Sequence, residues 1–212
     1  MNRLKAAVPE GRKWCRSHAG TAYSFEEYLD VVRDFHGHVA PGLLIGGKMV
    51  DVLLSRMSRD ILFDVICETD NCLPDAVQLL TLCTTGNGWM KVVPLQRFAI
   101  TFYDKYEGEG VRVYLDPVRL DHWEEIKNWF FQLVPKADQN GDRLREQIRA
   151  AGDDILGLHG VRVDPRYLGR KKSGRKTTCP VCGEAYPISH GKICRGCEGR
   201  SPYISVTDKE TV

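Results

Sequence analysis

The pattern Cys179-x2-Cys182-x11-Cys194-x2-Cys197 constrains this chain more than any other feature. Zinc takes four soft ligands in a tetrahedron. One Cys-x-x-Cys turn sets two sulfurs on one side of the ion, and a second closes the other side. The surrounding stretch of about 30 residues has few large apolar side chains, so burial alone would not fold it and a metal must help hold it. The spacing therefore predicts one zinc ion on Cys179, Cys182, Cys194 and Cys197, in a ribbon-like or treble-clef knuckle. With all four positions filled by protein, no site is left for water or substrate, and the zinc reads as structural. Gly183 and Gly196 are expected to relieve crowding in the two tight turns.

The remainder of the 212 residues is long enough for one substantial core. Apolar residues never run for the roughly 18 positions a membrane span needs. Met1 to Gly20 has basic residues but no apolar stretch of the secretory type. The expected compartment is the cytoplasm, where thiols stay reduced and the eight cysteines read as ligands or reactive thiols rather than disulfides. Cys15 stands alone and reads as an inert bystander. Charge divides the chain. Residues 1–165 hold 20 basic and 24 acidic side chains, and residues 166–200 hold nine and two. Composition also shifts near Pro165, which predicts a main domain over 1–165 and a basic linker with a zinc finger over 166–212.

Ser24 and Glu27 form a capping-box pattern that predicts a helix over 25–35. A second helix is expected over 42–57, although Gly46 and Gly47 each cost it roughly 1 kcal/mol. Glycines there suggest a neighbouring backbone packed very close; GLLIGG matches neither phosphate-loop spacing. Further helices are expected over 74–83, 121–134 and 142–155, the last two with Asp121 and Asp142 as N-caps. Strands are expected over 61–67, 90–93, 98–103 and 111–115. Strands and helices mix without a clean βαβ repeat, so the class is α+β.

A second group of ligand-type residues lies in the middle of the chain. His36-x-His38 places two imidazoles at a helix end, a spacing suited to one metal bound from a turning backbone. Cys67 and Cys72 flank Glu68 and Asp70 at a strand-to-helix junction, and Cys83 follows beside a Gly-rich loop. A helix N-terminus is expected to lower the Cys72 thiol pKa. Two imidazoles with one or two thiolates would hold zinc or iron with an open position. The same residues also read as helix caps and core packing.

These residues carry a resemblance. Phe35-His36-Gly37-His38-x-x-Pro41-Gly42-Leu43-x-x-Gly46 resembles the opening motif of the FmdE family of formylmethanofuran dehydrogenase proteins. Glu68-x-Asp70-x-Cys72-x-x-Asp75-Ala76 and Leu80-Thr81-x-Cys83-Thr84-x-Gly86-Asn87-Gly88 resemble it too, in order, over about residues 25–116. The resemblance implies a mixed sheet flanked by helices with a thioredoxin-like core, often dimeric, and a metal-binding active site at His-x-His and Cys-x-x-Asp. With the resemblance, His36, His38 and Cys72 come first, then Cys83 and Cys67, as ligands of a second zinc or iron; Asp70 and Asp75 are read as partners that orient the imidazoles, and Asp75 equally as a plain charge at a helix N-terminus. The resemblance implies two departures: a Cys in many members at the position of Ala40, and no family counterpart for Cys67. Members occur with molybdenum or tungsten formylmethanofuran dehydrogenase in anaerobic one-carbon metabolism.

The alternative reading is a nucleic-acid-binding or regulatory protein using the basic arm Arg170, Lys171, Lys172, Arg175 and Lys176 beside the finger. Only Tyr167 and Tyr186 are interleaved there, so base stacking is poorly supplied. No nucleophile elbow of the G-x-S-x-G type occurs.

Overall fold

The capping box at Ser24 forms in full. In the computed structural model, which describes residues 13–58, 60–169 and 174–204, the Ser24 hydroxyl accepts from the Glu27 N–H. The Glu27 carboxylate in turn accepts from the Ser24 N–H. Helix α1 (Phe25–His36) starts there and stops at Gly37, whose left-handed φ of 84° turns the chain. Helix α2 (Pro41–Arg56) follows, with Pro at its first position. It buries Leu43, Leu44, Met49, Val50 and Leu53. A Cβ on Gly46 would lie 2.6 Å from the Ala76 methyl, and one on Gly47 would lie 2.5 Å from the Tyr28 ring. The expected close approach exists, but side chains make it rather than neighbouring backbone. A small hairpin, β1 (Cys15–Arg16) with β2 (Ala22–Tyr23), precedes α1.

Five strands form the main sheet: β3 (Phe63–Cys67), β4 (Met90–Val92), β5 (Ala99–Asp104), β6 (Glu109–Leu115) and β7 (Leu156–Arg162). Their order is β4-β3-β5-β6-β7, with only β3 and β4 parallel. A parallel pair needs a crossover, which α3 (Leu73–Leu80) supplies. Helices α4 (Glu124–Phe131) and α5 (Gly141–Ala151) lie between β6 and β7 in the chain. The mixed sheet with flanking helices is the α+β arrangement read from the sequence. Side chains alternate across the sheet: Val65, Cys67, Ile100, Phe102 and Val113 enter the core that includes Leu43, Met49 and Leu53 of α2. Ile66, Thr101, Arg112 and His159 form a row on the other face, each in direct register with the next.

Several boundaries move. Helix α3 ends at Leu80, because Thr81 is extended and its hydroxyl donates to the Val77 carbonyl; Cys83 lies beyond the helix. Asp121 does not cap α4. It sits in a 3-10 turn, Pro117–His122, and pairs with Lys127. Asn140, not Asp142, caps α5 by accepting from the Arg143 N–H.

The chain divides into two compact units, Met1–Gly169 and Arg170–Val212. Pro165–Tyr167 forms a 3-10 turn of the first unit, where the Tyr103 hydroxyl donates to the Tyr167 carbonyl. The second unit holds a hairpin, β8 (Lys176–Thr178) with β9 (Ala185–Pro187), and a helical turn at Gly196–Arg200. Among the described residues no single helix is long and apolar enough to cross a membrane.

Candidate metal centres

The C-terminal quartet is built by local geometry. Cys179 and Cys182 sit at the tip of the β8–β9 hairpin, and Cys194 and Cys197 at the start of the last helical turn. Gly183 takes a left-handed φ of 75°, which closes the first turn. Gly196 is less constrained than expected, since a Cβ there would meet only the Cys194 sulfur at an ordinary 3.7 Å. The four sulfurs lie within 4.8 Å of one another, and Cys182 Sγ is 3.7 Å from Cys194 Sγ. Tetrahedral zinc with bonds of about 2.3 Å sets its sulfurs about 3.8 Å apart. The donor set fits zinc. Backbone N–H groups of Cys194 and Cys182 stabilise the Cys179 thiolate and bring that thiol down to about 6.

The central group lies where the end of α1 meets the starts of α2 and α3. Asp75, in the first turn of α3, places Oδ2 2.7 Å from His36 Nδ1. The His36 and His38 rings stand 4.7 Å apart, centroid to centroid, at 44°. With Nδ1 engaged by a carboxylate, His36 keeps Nε2 for a ligand. Cys72 caps α3 with a left-handed φ of 42°, unusual for a residue with a side chain. It packs on the start of α2: a Cβ on Gly42 would meet Cys72 Cβ at 2.9 Å and Sγ at 3.5 Å. Ala40, the N-cap of α2, is buried at the same junction.

The helix N-terminus does not win at Cys72. Burial raises its thiol, and the nearby Asp75 carboxylate raises it further. Cys67 and Cys83 are placed apart from each other, at the two ends of β3. Cys67 Sγ contacts the Thr69 carbonyl at 3.2 Å, and burial raises the thiol to about 12. Cys83 Sγ lies 3.7 Å from the Phe63 carbonyl, and burial raises it to about 11. Phe63 and Cys67 are opposite ends of β3, a separation on the order of 13 Å. Asp70 is exposed. Among the described residues, only the C-terminal quartet gathers three or more His, Cys, Asp or Glu ligand atoms within 4.8 Å. Of the basic arm, Arg170, Lys171 and Lys172 lie outside the described residues; Arg175 and Lys176 are exposed.

Two features escape the sequence reading. Phe98 lies beside the junction, its ring 3.6 Å from where a Gly42 Cβ would stand, and packs edge-on with Trp129 and Phe130. The run Trp129-Phe130-Phe131 was the available signal. Glu68, part of the central motif, turns away from the core to pair with Arg97 and Arg112; sequence separations of 29 and 44 residues hid that pairing.

Fold and quartet together define a two-unit protein, an α+β domain followed by a zinc finger. Its first unit matches the family described as FmdE, molybdenum formylmethanofuran dehydrogenase operon, over residues 35–161. The second matches the FmdE treble clef zinc finger over residues 170–204, which decides between ribbon and treble clef. The chain belongs to the FmdE family. It is 48% identical to a tungsten formylmethanofuran dehydrogenase FmdE-like protein from Syntrophus aciditrophicus of known crystal structure. That match has a TM-score of 0.80 and covers 90% of this chain and 99% of the other. It is also 27% identical, over 191 residues, to a probable S-adenosyl-L-methionine-binding protein of Archaeoglobus fulgidus. The match takes in 79% of this chain, which spans about half (51%) of the length of that relative.

Proposed function

We propose that the junction of α1, α2 and α3 is a second metal site, held by His36, His38 and Cys72 and open on one side. On this reading the protein is a metal-binding accessory of a molybdenum or tungsten formylmethanofuran dehydrogenase in a reducing, cytoplasmic setting, acting as a homodimer. One observation carries the reading: the Asp75 carboxylate holds His36 Nδ1 at 2.7 Å, beside a second imidazole. Carboxylate–imidazole pairs of this kind fix the ring and raise its basicity toward a metal. The half-buried Cys72 lies one turn from Asp75 on the same helix start. A bound zinc or iron would supply a Lewis-acidic or redox centre there. Cys67 and Cys83 take no part in this version of the site.

The test is metal content after anaerobic reconstitution with zinc or ferrous iron. The full chain should hold about two metals per chain, and His36→Ala with His38→Ala should lower that to about one. Asp75→Ala should weaken the second metal by roughly 10- to 100-fold. A full chain that holds only the quartet's metal would refute the second site. The name of the A. fulgidus relative favours a further reading for the junction, in which Phe98 and its aromatic neighbours receive S-adenosyl-L-methionine. A sulfonium cation suits aromatic surfaces, and equilibrium dialysis of that ligand against the full chain tests it.

A further inference from the structure

The sheet face opposite the core is walled by apolar side chains, yet it is organised around charge. A cavity of about 490 Å³ opens over the row Ile66, Thr101, Arg112 and His159. That falls within the roughly 300–1,000 Å³ of small-molecule sites. Glu68 lies in it, only 5% exposed. Arg112 donates to both of its carboxylate oxygens, from Nε at 2.5 Å and from Nη2 at 2.8 Å. Arg97 Nε stands 2.8 Å from Oε2. One carboxylate between two guanidiniums leaves one positive charge uncompensated. Asp164 also lines the cavity, but its carboxylate is taken by Arg166.

The guanidiniums retain donors. Arg112 Nη1 and both terminal nitrogens of Arg97 have no hydrogen-bond partner among the described residues. Their placement is fixed. Arg112 is 14% exposed and sits deep, while Arg97 is 60% exposed and stands at the mouth. The loop that presents Arg97 is anchored by Glu68 as well, since the Leu95 and Arg97 N–H groups donate to the Glu68 carbonyl at 2.9 and 3.3 Å. Between them Gln96 is left-handed, at φ 56°, a conformation that costs a residue with a side chain on the order of 1 kcal/mol. Glu68 thus holds the loop by its main chain and both cationic heads by its side chain.

We propose that this face binds a small organic anion, a carboxylate with an apolar body. The two terminal nitrogens of Arg97 present a planar fork that matches a carboxylate, Arg112 adds Nη1, and Val93, Leu95, Val161 and Val163 receive the apolar part. Glu68 is the positioning residue. The site shares no residue with the His36–His38–Cys72 junction and stands whether or not that junction binds a metal.

Octanoate is the probe, titrated by calorimetry into the full zinc-loaded chain, with 1-octanol as the neutral analogue. The expected result is saturable octanoate binding that 1-octanol does not reproduce. Arg97→Gln should weaken it by on the order of tenfold or more, and Leu95→Asp should also weaken it. Amide shifts should centre on Ile66, Thr101 and Val161. Binding absent at millimolar octanoate, matched by 1-octanol, or intact in Arg97→Gln overturns the proposal. Should Arg97→Gln lose its cooperative melt, the octanoate and octanol titrations of the unmodified chain decide. A dimer that Leu95→Asp dissociates, with no octanoate binding, also overturns it and assigns the face to a second copy of the chain.

Discussion

Burial by itself would raise the Glu68 carboxyl, because a charge removed from water is disfavoured. The hydrogen bonds and charges of Arg112, with those of Arg97, outweigh that and hold the group below its ordinary value. A carboxyl whose folded pKa is depressed stabilises the fold above its unfolded pKa, about 4.3 for Glu. That stabilisation fades as pH falls through the folded value. Glu68→Gln should therefore cost about 1–3 kcal/mol at pH 7. The gap from the unmodified chain should narrow below about pH 4. Urea titrations of both proteins between neutral and acid pH measure it, and a gap that widens on acidification would contradict the assignment. The sequence singled out Glu68 within a motif but could not show its direction. In the structure Cys67 enters the core and Glu68 turns to the opposite face, where its arginines come from the loop before β5 and from β6, 29 and 44 residues away.

Helices α2 and α3 meet through missing atoms. A methyl at Gly46 would lie 2.6 Å from the Ala76 methyl and 3.0 Å from Leu73 Cδ1. Alanine is intrinsically the better helix former by about 1 kcal/mol, so Gly46→Ala sets helix propensity against packing. Leu73 and Ala76 are fully buried on a helix tied to the sheet, and room there is hard to make. Packing should win, with a net loss of about 1–3 kcal/mol. Adding Ala76→Gly should recover part of that loss, giving a coupling of about 1 kcal/mol or more between the two sites. Thermal or urea unfolding of the four proteins in this cycle measures it; strict additivity would mean that the helices do not touch here. At this scale the sequence was most legible where a local signal exists. The Ser24–Glu27 box acts within one turn, and the start of α1 follows from it. Strand β7 carried no such signal. Its Leu156-Gly157-Leu158-His159-Gly160 run is broken by two glycines, and Gly157 is there because a Cβ would strike the Tyr114 ring on β6. That demand is tertiary and invisible from the segment alone.

The two units differ in what holds them. Among the described residues, the buried apolar side chains of the first unit run from Trp14 to Leu156, whereas the second unit contributes only Cys179 and Tyr186. So few buried groups cannot offset the roughly 1–2 kcal/mol per residue of backbone entropy that folding removes. The quartet must supply the difference, and zinc binding there is folding free energy. This also explains why the quartet was readable in advance and the central junction only in outline. Two Cys-x-x-Cys turns encode most of a tetrahedron in their spacing, whereas His36, Cys72 and Asp75 reach one junction only after three helices have docked. Removing zinc with a strong chelator under reducing conditions should therefore unfold residues 174–204 and leave the first unit standing. Amide resonances of the β8–β9 hairpin and the Gly196–Arg200 turn should collapse toward random-coil positions, while those of β3, β5 and β6 stay dispersed. Cys179→Ser should do the same without chelator, because three thiolates and a hydroxyl make a poorer zinc set. The cooperative melt of the first unit should keep its midpoint within a few degrees in both cases. A common loss of both units on chelation would show that the quartet stabilises the α+β core as well. Persistence of the hairpin without metal would show that the finger has a source of stability other than its four sulfurs.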